Sequence, residues 1–284
     1  MKLMAFRADG KARYGWVDGN QVRALPGGDD LRPWLLERGK AARYALEPDS
    51  SMPSWALTDV EFLPPVADPL KILCVGLNYH EHVQETGRSP AGYPTLFTRF
   101  ADTQIGHGAP IVGPAASDKL DWEGELAVLI GLPGRNIPEA DALSHVGGYS
   151  CFNDVSVRDW QKHGTQWTPG KNFPATGPVG PWIVTADEIQ DSSRLSIATR
   201  VNGITMQSAN TSQLIFSIPQ LIAYISRFTP LGTGDVICTG TPGGVGFARK
   251  PPLYLKDGDV VEVEIEGIGV LRNAVVLEAG SAAA

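Results

Sequence analysis

The sequence predicts a β-dominated α+β fold, and three observations carry that prediction. Its 284 residues include 32 Gly and 22 Pro, which punctuate short β-branched runs as turns punctuate strands. Strong turn dipeptides sit between alternating apolar segments near the start. Helical periodicity is confined to a few stretches, the clearest being Ser212 to Phe228. The length suits a sizeable core with room for a small second module.

Taken in order, residues 1–28 read as small strands separated by Asp9-Gly10 and Asp18-Gly19, around apolar Ala12, Tyr14, Trp16 and Val17. A short helix is expected from about Leu31 to Leu46. The stretch Pro48 to Pro69 holds five prolines with Ser50 and Ser51, and reads as a linker or extended crossover. The domain boundary is placed there, giving a small N-terminal β-rich domain over 1–65 and a larger domain over 66–284. From Lys71, ILCVG is a buried strand that stops in the polar segment LNYHEHVQETG, which has helical spacing and a closing Gly. WEGELAVLIG, CFNDVSV and DVICTGTP are three further strands with polar tips. In Ser212 to Phe228, apolar Leu214, Ile218, Leu221, Ile222, Ile225 and Phe228 follow the helical period, with Pro219 bending the helix or setting its start. No internal repeat has a solenoid period.

Composition excludes several classes. Hydrophobic residues are 43% and charged residues 19%, which argues against disorder and against a coiled coil. With 24 Lys+Arg against 31 Asp+Glu the net charge is −7, so no basic face is offered to nucleic acid. Cys74, Cys151 and Cys238 are scattered singly through apolar stretches, as in a reduced, cytoplasmic protein. MKLMAFRADGK turns polar too early for a signal peptide, and no apolar run approaches a membrane span, so a soluble protein is expected.

Glu123 and Glu125 flank Gly124, and strand alternation puts both carboxylates on one face, beside Ala127 and Leu129. Two like charges on a face that turns apolar need a cation. Asp154 closes the next apolar run, so three hard oxygen donors with open positions suit Mg²⁺, Mn²⁺ or Ca²⁺ better than Zn²⁺. The alternative is a solvated edge strand, and the sequence supplies a control. Glu262, Glu264 and Glu266 have the same spacing in a segment that reads as a half-exposed hairpin.

His82 and Glu85 lie three apart in a helical turn, so the carboxylate can orient one imidazole nitrogen and make the other a general base. A surface ion pair is the competing reading. His80 forms an HxH with His82, but the surrounding spacing does not fit a cupin metal site, which leaves His80 a supporting or lid residue. Lys171, in TPGKNFPATGPVGP, either approaches a backbone-lined pocket or sits on an exposed loop. Arg158 and Gln161 follow Asp154 by four and seven residues, as a carboxylate clamp or a polar helix face. Thr241, in the turn Gly240 to Gly246, can approach an anion with its neighbouring amides. No Walker A loop, GxGxxG or GxSxG motif is present.

Together, GLNYHEHVQE, LDWEGELAVLIG, FNDVSVRDWQ, PGKNF and ICTGTPGGVG stand in an order that resembles the fumarylacetoacetate hydrolase superfamily, most closely its acylpyruvate hydrolase and oxaloacetate decarboxylase branch. The likeness covers about residues 70 to 275. It implies a rolled mixed β-sheet catalytic domain with few helices, an N-terminal appendage and a homodimer. It also implies a Mg²⁺ or Mn²⁺ site at Glu123, Glu125 and Asp154; Ca²⁺ as a substitute in vitro is expected from the hard-oxygen donors alone. By the same match His82 and Glu85 are the lid dyad, Lys171 the active-site lysine, and Arg158, Gln161 and Thr241 the substrate contacts. Relatives often carry Arg where this chain has Leu77, and Lys where it has Arg99; both differences are expected to bear on specificity.

The expected activity is metal-dependent hydrolysis of a carbon–carbon bond in a 2,4-dioxo acid, giving pyruvate and a carboxylic acid. Decarboxylation, tautomerisation or hydration of a related 2-oxo acid such as oxaloacetate is the alternative, since enolate chemistry serves all of them. A non-catalytic metal- or anion-binding protein is the second alternative. The polar LNYHEHVQETG region, with few apolar anchors, is expected to order on binding.

Overall fold

The computed structural model describes residues 1–26, 30–32, 34, 35, 51–89 and 91–280. Strands β1 (Lys2–Ala8), β2 (Lys11–Asp18) and β3 (Gln21–Ala24) form a meander. Asp9 and Gly10 turn the first hairpin with φ of 50° and 73°, the left-handed pair that a two-residue turn requires. Asp18 pairs with Gln21, so the second turn is Gly19-Asn20, one residue later than expected. Of the helix expected from Leu31 to Leu46, the described residues contain only a first turn, in which Trp34 and Leu35 donate to the Leu31 carbonyl; the rest lies outside them. The proline-rich stretch expected as a linker instead supplies β4 (Ser54–Ala56) and β5 (Glu61–Leu63), which pair with β3 and β1.

Beyond it come β6 (Ile72–Gly76), α1 (His80–Glu85), β7 (Thr95–Arg99), β8 (Gln104–Ile105), β9 (Ile111–Gly113) and β10 (Leu120–Asp121). Then follow β11 (Gly124–Ile130), β12 (Val146–Asn153), β13 (Ser156–Val157), α2 (Thr168–Lys171) and β14 (Gly177–Thr185). The chain ends through β15 (Ser196–Val201), β16 (Ile204–Asn210), α3 (Ile218–Phe228), β17 (Val236–Cys238), β18 (Val260–Ile265) and β19 (Gly269–Leu277).

The main sheet runs β4-β3-β2-β1-β14-β12-β11-β17-β6-β7, with β5 beside β1 and β8 beside β14. It is mixed: β17–β6 and β14–β8 are parallel, and the other pairs are antiparallel. A second sheet, β16-β15-β18-β19-β9, packs against it, and β10 pairs with β13 in a short ribbon. Strand β11 is buried along its whole length because both its faces are covered. Leu126, Val128 and Ile130 meet Ile197 and Val263 of the second sheet and Leu221 of α3, while Ala127 and Leu129 join Leu3, Trp16, Ile72 and Phe152.

Helix α3 starts where a cap allows it. Ser217 and Gln220 exchange side-chain and backbone hydrogen bonds, and Pro219 occupies the first turn, so the proline sets the start and bends nothing. Leu221, Ile222 and Ile225 are fully buried, each contributing about 1.5–3 kcal/mol of transfer free energy. The C-terminal hairpin is half-exposed as expected. Val261, Val263 and Ile265 point inward, whereas Glu262 lies near Arg272 and Glu264 pairs with Arg200. Among the described residues no helix is long and apolar enough to cross a membrane, and all three cysteines are free and buried.

Candidate active site

The strand order gathers the polar tips. Antiparallel pairing sets the start of β11 beside the end of β12, with Gly124 opposite Asn153, and the ends of β17 and β6 lie alongside. Glu123, Glu125 and Asp154 are all buried, and their ligand atoms lie within 4.8 Å of one another. The backbone fixes them: Glu123 N–H donates to Asn153 Oδ1 (3.0 Å), Asp154 N–H to the Glu123 carbonyl (2.8 Å), and Gly240 N–H to Glu125 Oε2 (2.9 Å). Gly124 is needed between the glutamates because a Cβ there would sit 2.0 Å from Thr199 Oγ1 of the second sheet.

Three buried cations face this cluster. Lys171 Nζ bridges Glu123 Oε2 (2.8 Å) and Asp154 Oδ2 (2.5 Å). Arg158 spans Asp121 (Nε to Oδ2, 2.7 Å) and Glu123 (Nη1 to Oε1, 2.5 Å), and donates to Gln161 Oε1 (3.0 Å). Arg99 Nη1 lies 2.6 Å from Asp154 Oδ1, and its Nη2 donates to Thr176. Burial alone would raise the Glu123 carboxyl, but Lys171, then Arg158 and His82, outweigh it and pull it down to about 2. Glu125 is opposite. Burial, then the charges of Asp154 and Glu123, push it well above the usual carboxylate range.

His82 Nδ1 lies 2.7 Å from Glu85 Oε1, and Glu85 Oε2 accepts the Gly244 N–H at 2.8 Å. A carboxylate accepts only, so Nδ1 carries the proton and Nε2 is left to work. His82 lines a cavity of about 350 Å³, and so do Glu123, Glu125, Arg158, Gln161, Lys171 and Thr241. Phe97, Trp167 and Phe247 form its apolar walls. Of the nine candidates, only Glu85 and Asp154 stand behind the lining, bonded to His82 and Lys171 respectively. Thr241 Oγ1 donates to the Gly124 carbonyl (3.0 Å), which ties the β17 turn to the glutamates.

Several expectations change. The segment after β6 has firm anchors: Tyr79 and Val83 are buried, and the buried Asn78 side chain donates to the Phe216 and Thr239 carbonyls and accepts the Phe216 N–H. His80 is exposed on α1 rather than supporting the site. Arg99, expected to bear on specificity, is an ion-pair partner of the acidic cluster. Asp121 was missed, although alternation in DWEGE places it in step with both glutamates. It accepts from Arg158 and from the Gly246 and Phe247 N–H groups. Gln207 was missed too. It accepts the Gly124 N–H and donates to Thr241 Oγ1 and the Pro242 carbonyl, from 83 residues away and with no local signal.

A divalent cation fits this donor set. Four buried carboxylates, Asp121, Glu123, Glu125 and Asp154, face three buried cations, and no ion pair among the described residues includes Glu125. The unbalanced charge lies where three carboxylate oxygens converge, a hard-oxygen site of the kind Mg²⁺ and Mn²⁺ take.

The family model described as fumarylacetoacetate (FAA) hydrolase C-terminal matches residues 71–276. Oxaloacetate tautomerase FAHD2A, mitochondrial, from Homo sapiens is 45% identical over 248 residues, covering 85% of this chain and 78% of its own. The solved fumarylacetoacetate hydrolase from Exiguobacterium antarcticum superposes with a TM-score of 0.87 at 39% identity, covering 98% of this chain and 100% of that one. A 2-hydroxyhepta-2,4-diene-1,7-dioate isomerase from Mycobacterium marinum gives a TM-score of 0.80 at 34% identity, covering 98% and 99%. The order of motifs, the mixed sheet and these matches agree: the chain belongs to the fumarylacetoacetate hydrolase family.

Proposed function

We propose that this protein catalyses keto–enol tautomerisation of an oxaloacetate-type 2-oxo acid. The observation that carries the reading is one cavity with a carboxylate cluster at its floor and His82, backed by Glu85, on its wall. Enolisation needs a base and a place for negative charge, and it needs neither a positioned water nor a leaving group. The name of the human relative supports the same choice over the hydrolysis that the sequence put first.

Glu123, Glu125 and Asp154 would hold Mg²⁺ or Mn²⁺, which when bound supplies Lewis acidity toward a chelating 2-oxo acid. His82, held by Glu85, takes a proton from C3 at Nε2. Lys171, kept protonated by Asp154 and Glu123 against the cost of burial, supplies a proton at the C2 oxygen. Both groups then exchange protons with water, so no atom is gained or lost beyond the shifted proton. Arg158, whose Nη2 has no partner among the described residues, receives a substrate carboxylate beside Gln161.

The test follows the ultraviolet band of enol oxaloacetate, with pyruvate measured in parallel. Faster loss of the band without pyruvate, abolished by EDTA, is expected. His82→Ala should slow it on the order of 100-fold or more. Hydrolysis of 2,4-dioxo acids is the second reading, favoured by the same dyad, which can activate water, and by the likeness to a solved hydrolase. Stoichiometric pyruvate from acetylpyruvate, with no effect on oxaloacetate, would replace the first reading with the second. The buried free thiols fit a reducing compartment, and the mitochondrial placement in the name of the human relative offers one besides the cytoplasm.

A further inference from the structure

Lys171 ends α2, a single turn of four residues that is too short to keep its own shape. Its neighbours must hold it. On one side Gly170 lies so close to the chain at Gln161 that a Cβ there would sit 2.4 Å from the Gln161 nitrogen. On the other is β7, which stands at one end of the main sheet and has no strand along its outer edge among the described residues. Asn172, the next residue after Lys171, takes that edge. Its Oδ1 accepts the Phe100 N–H at 2.7 Å and its Nδ2 donates to the Thr98 carbonyl at 3.1 Å. These two groups flank Arg99, and a paired strand would use them in the same way. The Asn172 Nδ2 also donates to the Thr168 carbonyl at 3.0 Å, which closes the turn of α2 on itself. A ring of contacts results: Asn172 grips the backbone on either side of Arg99, Arg99 pairs with Asp154, and Asp154 pairs with Lys171. The Lys171 ammonium also lies 5.0 Å from the ring centroid of Phe97, a second residue of β7. Asn172 itself does not line the cavity.

We propose that Asn172 is the positioning residue of Lys171, its carboxamide joining α2 to the open edge of β7 and so fixing where the ammonium stands between Glu123 and Asp154. A lysine side chain is long and flexible, and its ion pairs alone would let it follow any shift of the turn that carries it. The amide prevents that shift, because it ties the backbone of α2 to the strand that carries the other cation on Asp154. The effect on turnover rests on reading Lys171 as the proton donor to the substrate; the effect on the carboxylate cluster does not.

The test is a double-mutant cycle on the full chain, read by oxaloacetate enolisation, by Mn²⁺ titration and by urea denaturation. Asn172→Ala should lower kcat about tenfold or more through the displaced ammonium, with KM and the urea midpoint close to wild type because the amide is only half-buried. Asn172→Asp keeps the Phe100 contact but sets a carboxylate against two carbonyls, and should lose at least as much. Lys171→Met removes the positive charge nearest the three carboxylates, so Mn²⁺ should bind it about tenfold tighter. Asn172→Ala should shift Mn²⁺ affinity in the same direction by a smaller factor. In the Lys171→Met background, Asn172→Ala should change neither kcat nor Mn²⁺ affinity further. Equal effects of Asn172→Ala in both backgrounds, or a kcat loss matched by a fall in the urea midpoint, would make Asn172 a structural brace and overturn the proposal. Wild-type kcat and Mn²⁺ affinity in Asn172→Ala would overturn it as well. If the wild type does not enolise oxaloacetate, coupling in Mn²⁺ affinity alone keeps the clamp and removes the tautomerase reading; enolisation with additive effects removes the clamp and leaves that reading in place.

Discussion

Glu123 holds the cluster together from the middle, since Lys171 and Arg158 both pair with it. Glu123→Gln replaces a charged oxygen donor of the trio with a neutral amide and takes an anion from the two buried cations that pair with it. Metal-dependent turnover should fall on the order of 100-fold or more, because the coordination itself is changed. Full activity of this variant in metal-free buffer would contradict the role given to the trio. Arg99 gives a second residue-scale test. Its guanidinium reaches Asp154, the Val155 carbonyl and Thr176 at once, which a single ammonium cannot copy. Arg99→Lys keeps the charge and loses at least one buried hydrogen bond, so stability should drop by about 1–3 kcal/mol in urea denaturation. Arg99→Met, which leaves Asp154 without this partner, should cost about 3–5 kcal/mol. Equal stability of the two variants would show that charge contributes nothing there.

At the scale of elements, what the sequence disclosed depended on how local the cause was. Strand β11 was legible because alternation and a run of apolar residues both mark it, and α3 because period, cap and proline agree. Glu123, Glu125 and Asp154 could be put together because each closes or opens an apolar run. Gln207 could not, since its partners Gly124 and Thr241 reach it only when β15 and β16 of the second sheet lie over β11. Gly124 illustrates the same coupling: its lack of a side chain matters only because Thr199 of β15 stands above it. Gly124→Ala should therefore overpack this contact, cost about 1–3 kcal/mol, and weaken Mn²⁺ binding by moving both glutamates. Thr199→Ala in the same chain removes the hydroxyl that the new methyl meets and should restore a large part of both losses. A double variant no better than Gly124→Ala, by denaturation and by Mn²⁺ titration, would place the strain elsewhere.

At the scale of the whole molecule, the open question is whether residues 1–65, proposed as a separate small domain, can be separated from the rest. Their own buried cluster is small, Met4, Phe6, Ala8 and Val22, and Trp182 of β14 packs against it. They also share one, since Leu3, Trp16 and Leu25 pack with Ile72, Cys74, Phe97 and Phe152. The backbone is shared as well: β1 pairs with β14 through Lys2–Val184 and Leu3–Ile183, and Thr185 N–H donates to the Met1 carbonyl. Ile72 and Cys74 lie on β6, the strand that leads into His82, and Phe97 is a wall of the cavity. A chain beginning at residue 66 would leave the β14 edge unpaired and uncover the apolar side of that cluster, and such an exposed edge is a template for association. It should aggregate or unfold at lower urea than the full chain, and lose turnover although every candidate catalytic residue remains. If it stays dispersed with full Mn²⁺-dependent activity, the shared cluster contributes little and the first 65 residues are an independent attachment. If adding residues 1–65 as a separate polypeptide restores activity, the two parts are separable chains of one folded unit, joined by the β1–β14 pairing and the Leu3–Trp16 contact with β6.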